Sequence, residues 1–170
     1  MAIPLPIETE RLLVRTVLPD IDTEAMVAVY CDPEVMRYVA GGPLADASDV
    51  RTLLDGYVAA QEARGFSSWA LVERASGDVV GDVGFGVFEP TGDVELGYTL
   101  ARAVWGRGYA TEAAGACLET GLAHLDVERI VALADVENTA SHRVAERLGM
   151  ARAGIVEAHG RPHVLFAATR

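Results

Sequence analysis

Long apolar runs are missing from this sequence: no stretch approaches the roughly 20 residues that a membrane-spanning helix needs. The first residues, Met1 to Pro6, also lack the basic start and apolar run of a secretory signal. A soluble, cytoplasmic protein with no membrane partner is expected. Cysteine is scarce, and Cys31 and Cys117 stand alone in helix-like segments. That spacing gives neither a zinc site nor a disulfide framework, so both are expected as buried or half-buried free thiols, with no metal bound. Positive charge is short as well. Fourteen basic residues against 25 acidic ones leave a net charge of −11, which argues against nucleic acid or anionic lipid held by a basic surface. The same charge suits a cationic acceptor, although an acidic surface also serves solubility alone. Repeats, linkers and low-complexity segments are absent too, and the 170 residues are expected to form one domain, 1–170.

What is present has a clear order. Branched apolar residues predict a strand over Arg11–Val17, and helical spacing follows over Asp20–Tyr30. Asp32 and Pro33 predict a short helix to Tyr38, stopped by Gly41, Gly42 and Pro43. A longer helix is predicted over Asp46–Arg64 and ends at Gly65. From Phe66 the period changes to that of strands, predicted over Ser68–Glu73, Val79–Phe88 and Val94–Leu100. The short turns at Ser76-Gly77-Asp78 and Pro90-Thr91-Gly92-Asp93 make these an antiparallel meander. A helix over Gly108–His124, a strand over Arg129–Asp135, a helix over Asn138–Leu148 and two strands around Ile155 and Leu165 complete a mixed α/β sheet flanked by helices.

The most informative stretch runs from Leu100 to Glu112, between a strand and a long helix. A helix N-terminus presents unpaired N–H groups and partial positive charge, which can hold a phosphate if the chain ahead leaves room. Gly106 and Gly108 leave that room, and Arg107 adds a cation. The stretch lacks the Gly-Lys-Ser/Thr ending of a P-loop, and Thr111 stands where a dinucleotide fingerprint wants glycine or alanine. A dinucleotide-binding oxidoreductase is disfavoured on that residue and on the preceding meander. A second segment, Asp135 to Met150, passes from a strand end into a helix that Asn138 can cap and Gly149 closes. Asn138 could also reach the amide chain of a ligand, with Ser141 one turn further on roughly the same face.

These segments, together with Ile7-Glu8-Thr9-Glu10-Arg11-Leu12-Leu13-Val14-Arg15, Asp32-Pro33-Glu34-Val35-Met36 and Glu95-Leu96-Gly97-Tyr98, resemble the GNAT superfamily of acetyl-CoA-dependent N-acetyltransferases. The likeness is greatest to the branch typified by ribosomal-protein N-terminal acetyltransferases and covers nearly the whole chain. It implies the single-domain GNAT-like α/β fold, with a mixed, mostly antiparallel central sheet, and acetyl-CoA as cosubstrate without a metal. It further implies that the strand ending at Leu100 bulges and splays from its neighbour, so that Thr99 and Leu100 offer free backbone groups to the pantetheine arm. The pyrophosphate would sit on the amides of Arg107, Gly108, Ala110 and Thr111, Asn138 would hold the pantetheine, and Ser141 would lie near the sulfur. Trp105 stands where the superfamily usually has Gln or Arg and is expected to cover the start of the helix. A homodimer is compatible with this branch.

Acetyl transfer needs a neutral amine, a polarised thioester carbonyl and a proton for the departing thiolate. Glu95 is the leading base, since alternation puts it on one strand face with Gly97 and Thr99, away from Val94, Leu96 and Tyr98. Glu157 and His159 are alternatives. His124 and His142 read as a helix end and a packing residue, and Tyr30, Tyr38 and Tyr57 as helix-face residues bordering the acceptor groove. The acceptor is expected to be a primary amine, on a small molecule or a protein N-terminus. A non-catalytic acetyl-CoA sensor is the alternative function.

Overall fold

A computed structural model describes residues 2–170. Strands β1 (Ile7–Glu8) and β2 (Leu12–Arg15) lead into α1 (Pro19–Tyr30), a 3-10 turn at Met36–Tyr38 and α2 (Ala47–Arg64). The meander follows as β3 (Ser68–Glu73), β4 (Val79–Phe88) and β5 (Asp93–Leu100), then a 3-10 turn at Arg102–Val104 and α3 (Tyr109–His124). The chain closes with β6 (Arg129–Asp135), α4 (Thr139–Arg147), β7 (Ala151–Ala158) and β8 (Arg161–Thr169).

Local chemistry explains most of these boundaries. Asp46 caps α2 by accepting from the N–H groups of Ser48 at 2.8 Å and Asp49 at 3.2 Å. Gly65 ends that helix in the left-handed region. Periodicity did not signal β1, whose two residues pair with Leu13 and Val14 because the chain turns back where Thr9 N–H donates to Leu12 O. The helix expected from Asp32 shrinks to a 3-10 turn. Asp32 does not cap it: its carboxylate accepts from Glu34 N–H at 2.9 Å, ahead of the 3-10 residues, whose N-cap is Val35 with no side-chain cap.

The eight strands form one sheet in the order β1-β2-β3-β4-β5-β6-β8-β7, antiparallel throughout except for the parallel pair β5–β6. One face is covered by α3 and α4, where Ala113, Cys117 and Leu118 pack on Val94, Leu96 and Phe85. The other face carries α1 and α2, whose Met26, Val29 and Leu54 bury Ala70. No helix of the described residues is long and apolar enough to cross a membrane. Cys117 is buried and Cys31 half-buried, both as free thiols.

Candidate active site

The site begins as a failure of strand pairing. β5 and β6 pair only at Val94–Ile130 and Glu95–Val131, after which β5 follows β4 to Leu100 and β6 follows β8 to Asp135. The gap is a cavity of about 750 Å³. Its walls are the free edges of β5 and β6, and its ends are the N-termini of α3 and α4. The splay expected from the resemblance is therefore present. The bulge is not, because β5 keeps unbroken register with β4 from Asp93 to Leu100.

That register decides which backbone groups reach the gap. Ala101 N–H donates to Val80 O, so in an antiparallel ladder Thr99, Gly97 and Glu95 turn their N–H and C=O groups to β4. Leu96, Tyr98 and Leu100 turn theirs to the gap. Thr99, expected to offer its backbone there, instead pairs with Asp82, and its hydroxyl bonds the Asp82 carboxylate. Leu100 does face the gap, but its carbonyl already accepts from the Trp105 indole N–H at 2.9 Å. Trp105 thus closes the end of β5 through its indole N–H, while its ring borders the cavity.

At the start of α3, Gly108 takes the N-cap position at φ +79°, a conformation that favours glycine, and no side chain caps the helix. The first intrahelical bond is Glu112 N–H to Gly108 O, so the N–H groups ahead of it, those of Ala110 and Thr111 included, have no helical partner. Gly108, Ala110 and Thr111 all border the cavity. Arg107 does not. Its guanidinium bonds Glu73 at 3.1 Å, which corrects the expectation of a cation at the approach. The loop is braced from far away in sequence: Arg11 donates to Arg107 O at 2.8 Å and to Glu112 at 2.7 Å, Thr9 donates to Glu112 at 2.6 Å, and Tyr109 donates to Glu73 at 2.6 Å. The Thr9-Glu10-Arg11 motif of the sequence is therefore a scaffold for the glycine loop.

On α4, Asn138 Oδ1 accepts from Ser141 N–H at 3.2 Å and caps the helix, while both residues border the cavity. The Ser141 hydroxyl accepts from Tyr98 Oη at 3.1 Å. Burial pushes the Tyr98 phenol up, with the Ser141 bond opposing, so it stays protonated at neutral pH. In the sequence Tyr98 marks a strand face and ends the Glu95-Leu96-Gly97-Tyr98 motif, with no chemical role assigned to it. Its partner on α4 was not foreseeable from a separation of 43 residues.

Glu95 lies at the closed end of the gap, on the α1–α2 face. Burial alone pushes its carboxyl up to about 7, with no opposing hydrogen bond or cation. Its cross-strand neighbour Gly86 and its strand neighbour Gly97 leave the floor beside it open, for a Cβ built on either glycine meets nothing within 4 Å. The same face holds Asp82, 3 % exposed and pushed up to about 6 by burial against hydrogen bonds from Tyr30, Thr99 and Ser68. Tyr30 Oη donates to it at 2.5 Å and lies 3.1 Å from Tyr57 Oη. The available signal was an aspartate inside the apolar run Val79–Phe88.

The reserve bases fare differently. Glu157 pairs with Pro162 and so lies on the sheet face opposite Glu95, exposed to solvent. His159 occupies the β7–β8 turn, edge-on to His163 at 6.0 Å. His163 and Asp135, which pair across β8 and β6, border the cavity and were not anticipated. His142 packs on Phe166 at 5.7 Å and His124 sits at the end of α3, 3.0 Å from Thr120 O.

The chain belongs to the GNAT acetyltransferases: the family model for the acetyltransferase (GNAT) domain matches residues 11–151. It is accordingly an acetyl-CoA-dependent N-acetyltransferase. Among curated proteins it is 32 % identical to the uncharacterized protein YkkB of Bacillus subtilis over 161 residues, covering 93 % of this chain and 92 % of that one. It is 28 % identical to the uncharacterized N-acetyltransferase p20 of Bacillus licheniformis over 149 residues, covering 87 % and 83 %. Among solved structures it superposes on a GNAT-family acetyltransferase from Bacillus anthracis with a TM-score of 0.84 at 28 % identity, covering 97 % of this chain and 98 % of that one.

Proposed function

We propose that the acceptor is a primary amine, presented from the α1–α2 face, and that Glu95 takes its proton. The observation that carries this reading is a half-buried carboxylate pushed up to about 7 beside an open glycine floor, at the vertex of the splayed strands. A base poised near the working pH combines a useful ionised fraction with a useful proton affinity. It also favours turnover over a sensor, which would have no use for a desolvated carboxylate at that vertex.

In the transfer, the amine nitrogen bonds to the thioester carbon and the carbon–sulfur bond breaks. The amine proton passes to Glu95, directly or through water. The departing thiolate takes a proton from Ser141, whose hydroxyl regains one from Tyr98. Pantetheine would run along the free groups of Leu96, Tyr98 and Leu100, with the Asn138 amide on its far side. The pyrophosphate would rest on the N–H groups of Gly108, Ala110 and Thr111, with that of Arg107 beside them.

The acceptor's acidity follows from the base. An α-amino group has a pKa near ~7.8 and a lysine amine near ~10.4, so proton transfer to a carboxylate near 7 costs little for the first and about 4 to 5 kcal/mol for the second. A protein or small-molecule α-amine is therefore the favoured acceptor. The test is acetyl-CoA consumption across α-amines, lysine side chains and polyamines from pH 6 to 10. α-Amines should lead at pH 7, and a lysine side chain or polyamine leading there would overturn the assignment.

A further inference from the structure

Of the 17 glycines, 11 sit at positive φ. Three more are crowded: a Cβ on Gly84 would meet Ser67 O at 2.1 Å, on Gly115 Leu148 Cδ2 at 3.2 Å and on Gly121 Phe85 Cζ at 2.5 Å. Gly56, Gly86 and Gly97 are left. They lie inside α2, β4 and β5 with ordinary backbone, and a Cβ built on any of them meets nothing within 4 Å. Glycine inside a helix or strand is less stable than alanine, so these three weaken their elements with no return in conformation or packing.

Their common place explains them. Gly56 and Gly86 border a second cavity, of about 340 Å³, between α2 and strands β3 and β4. Gly86 pairs across from Glu95 and so forms the side of this cavity next to the base, while Gly97 continues the open floor into the main cavity. Leu53, Tyr57 and Ala60 of α2 and Phe85 of β4 make its walls mostly apolar. Tyr57 and Ser68, which also border it, already have partners: Tyr57 Oη lies 3.1 Å from Tyr30 Oη, and Ser68 bonds the Asp82 carboxylate. Arg64 borders it as well, exposed and not ion-paired with a carboxylate among the described residues, so a cationic occupant is repelled. The volume lies near the bottom of the ~300–1,000 Å³ range of small-molecule sites, which suits one side chain rather than a whole ligand.

We propose that this cavity receives the side chain of the acceptor, and that Gly56 and Gly86 stay small to admit a bulky, uncharged apolar one of leucine or phenylalanine size. This rests on Glu95 taking the proton of an α-amine. An amine at Glu95 sets its α-carbon beside Gly86, one strand spacing of about 5 Å away, and the side chain on that carbon then has the trough over Gly86 open to it. The N-terminal residue of a protein and a free amino-acid amide offer the same chemistry.

The test is kcat/KM at saturating acetyl-CoA for the tripeptides Gly-Gly-Gly, Leu-Gly-Gly, Phe-Gly-Gly and Arg-Gly-Gly and for glycinamide and leucinamide. It is run on the wild type and on Gly56→Leu and Gly86→Val, which fill the cavity from opposite sides. The wild type should favour the leucyl and phenylalanyl acceptors over the glycyl and arginyl ones by about tenfold or more, and the filled variants should lose most of that preference. The preference should hold among amides as among tripeptides, and the faster of the two series identifies the source of the amine. No preference for bulky apolar residues in the wild type, an equal rate with Arg-Gly-Gly, or a preference undiminished in both folded variants would overturn the side-chain site. A wild type that acetylates lysine side chains or polyamines but no α-amine would instead overturn the acceptor assignment, and the side-chain site with it.

Discussion

The two sides of the splayed strands treat their carboxylates in opposite ways. Around the start of α3, carboxylates are paired: hydrogen bonds from Tyr109 and Ser76 and the Arg107 charge hold Glu73 below its ordinary range. Burial would raise Glu112, but bonds from Thr9 and Arg11 outweigh it and lower the group as well. On the α1–α2 face burial wins, so Asp82 and Glu95 are raised to about 6 and about 7. Paired carboxylates give a rigid loop with free backbone donors, suited to holding an anion. A desolvated carboxylate gives a group that can change its proton at neutral pH. Around the start of α3 the carboxylates are thus paired with cations, and on the α1–α2 face they are desolvated with no cation beside them.

Glu95→Gln should produce the largest effect, because it removes the raised carboxylate at the vertex of the splayed strands. A fall in kcat/KM of about 10²- to 10⁴-fold is expected, with acetyl-CoA affinity unchanged. In the wild type kcat/KM should rise through an inflection near 7 as Glu95 ionises, and the variant should lack that inflection. Its defect should shrink at high pH, where the acceptor arrives neutral. Parallel profiles from pH 6 to 10 would make Glu95 structural and erase the contrast between the two halves.

Asp82 tests whether burial rather than pairing governs the acceptor face. Its folded-state pKa is raised, so between about 4 and 6 the folded protein binds more protons than the unfolded chain, and this group's contribution to stability falls as pH rises through that window. At ~1.36 kcal/mol per pH unit the loss is on the order of 3 kcal/mol from the ordinary 3.8 to about 6. Chemical denaturation at pH 4 and pH 7 should show Asp82→Asn gaining on the wild type by up to that amount. A stability difference independent of pH would mean that Asp82 is not held protonated by burial.

On the donor half, Gly108→Val should weaken acetyl-CoA binding by about 10- to 100-fold. The side chain would enter the approach to the α3 amides, and a left-handed valine adds strain on the order of 1–2 kcal/mol. Calorimetry on a variant shown to be folded measures it, and unchanged affinity would remove the pyrophosphate from this helix. The smallest effects are expected where the two halves meet. Ser141→Ala and Tyr98→Phe should each lower kcat about tenfold, and the double variant should be little worse than either single one, because they serve one proton path. Fully additive losses would separate the two residues.

Much of the fold was legible because it is locally encoded. Asp46 and Gly65 bound α2 through a side-chain cap and a left-handed residue, and β3 to β5 alternate and turn where glycine, aspartate and proline allow it. Gly108 likewise announces an uncapped helix start. The sequence could not show that Arg107 is drawn away by Glu73, because that pair spans 34 residues, nor that Thr99 faces β4. Strand alternation places side chains on faces, but which backbone edge is free depends on the register with the neighbouring strand.

The amino-acid sequence by itself determined the order of elements, the glycine-bounded loop ahead of α3 and the face on which Glu95 lies, since these depend on local conformation and on a period of two or 3.6 residues. Only the tertiary structure decided that β5 and β6 part after Glu95, that Tyr98 meets Ser141, and that Glu95 is buried without a partner while Glu73 is bonded. A carboxylate's proton affinity is set by the dielectric and charges within a few ångströms of it, and those neighbours come from segments that the chain brings together only by folding.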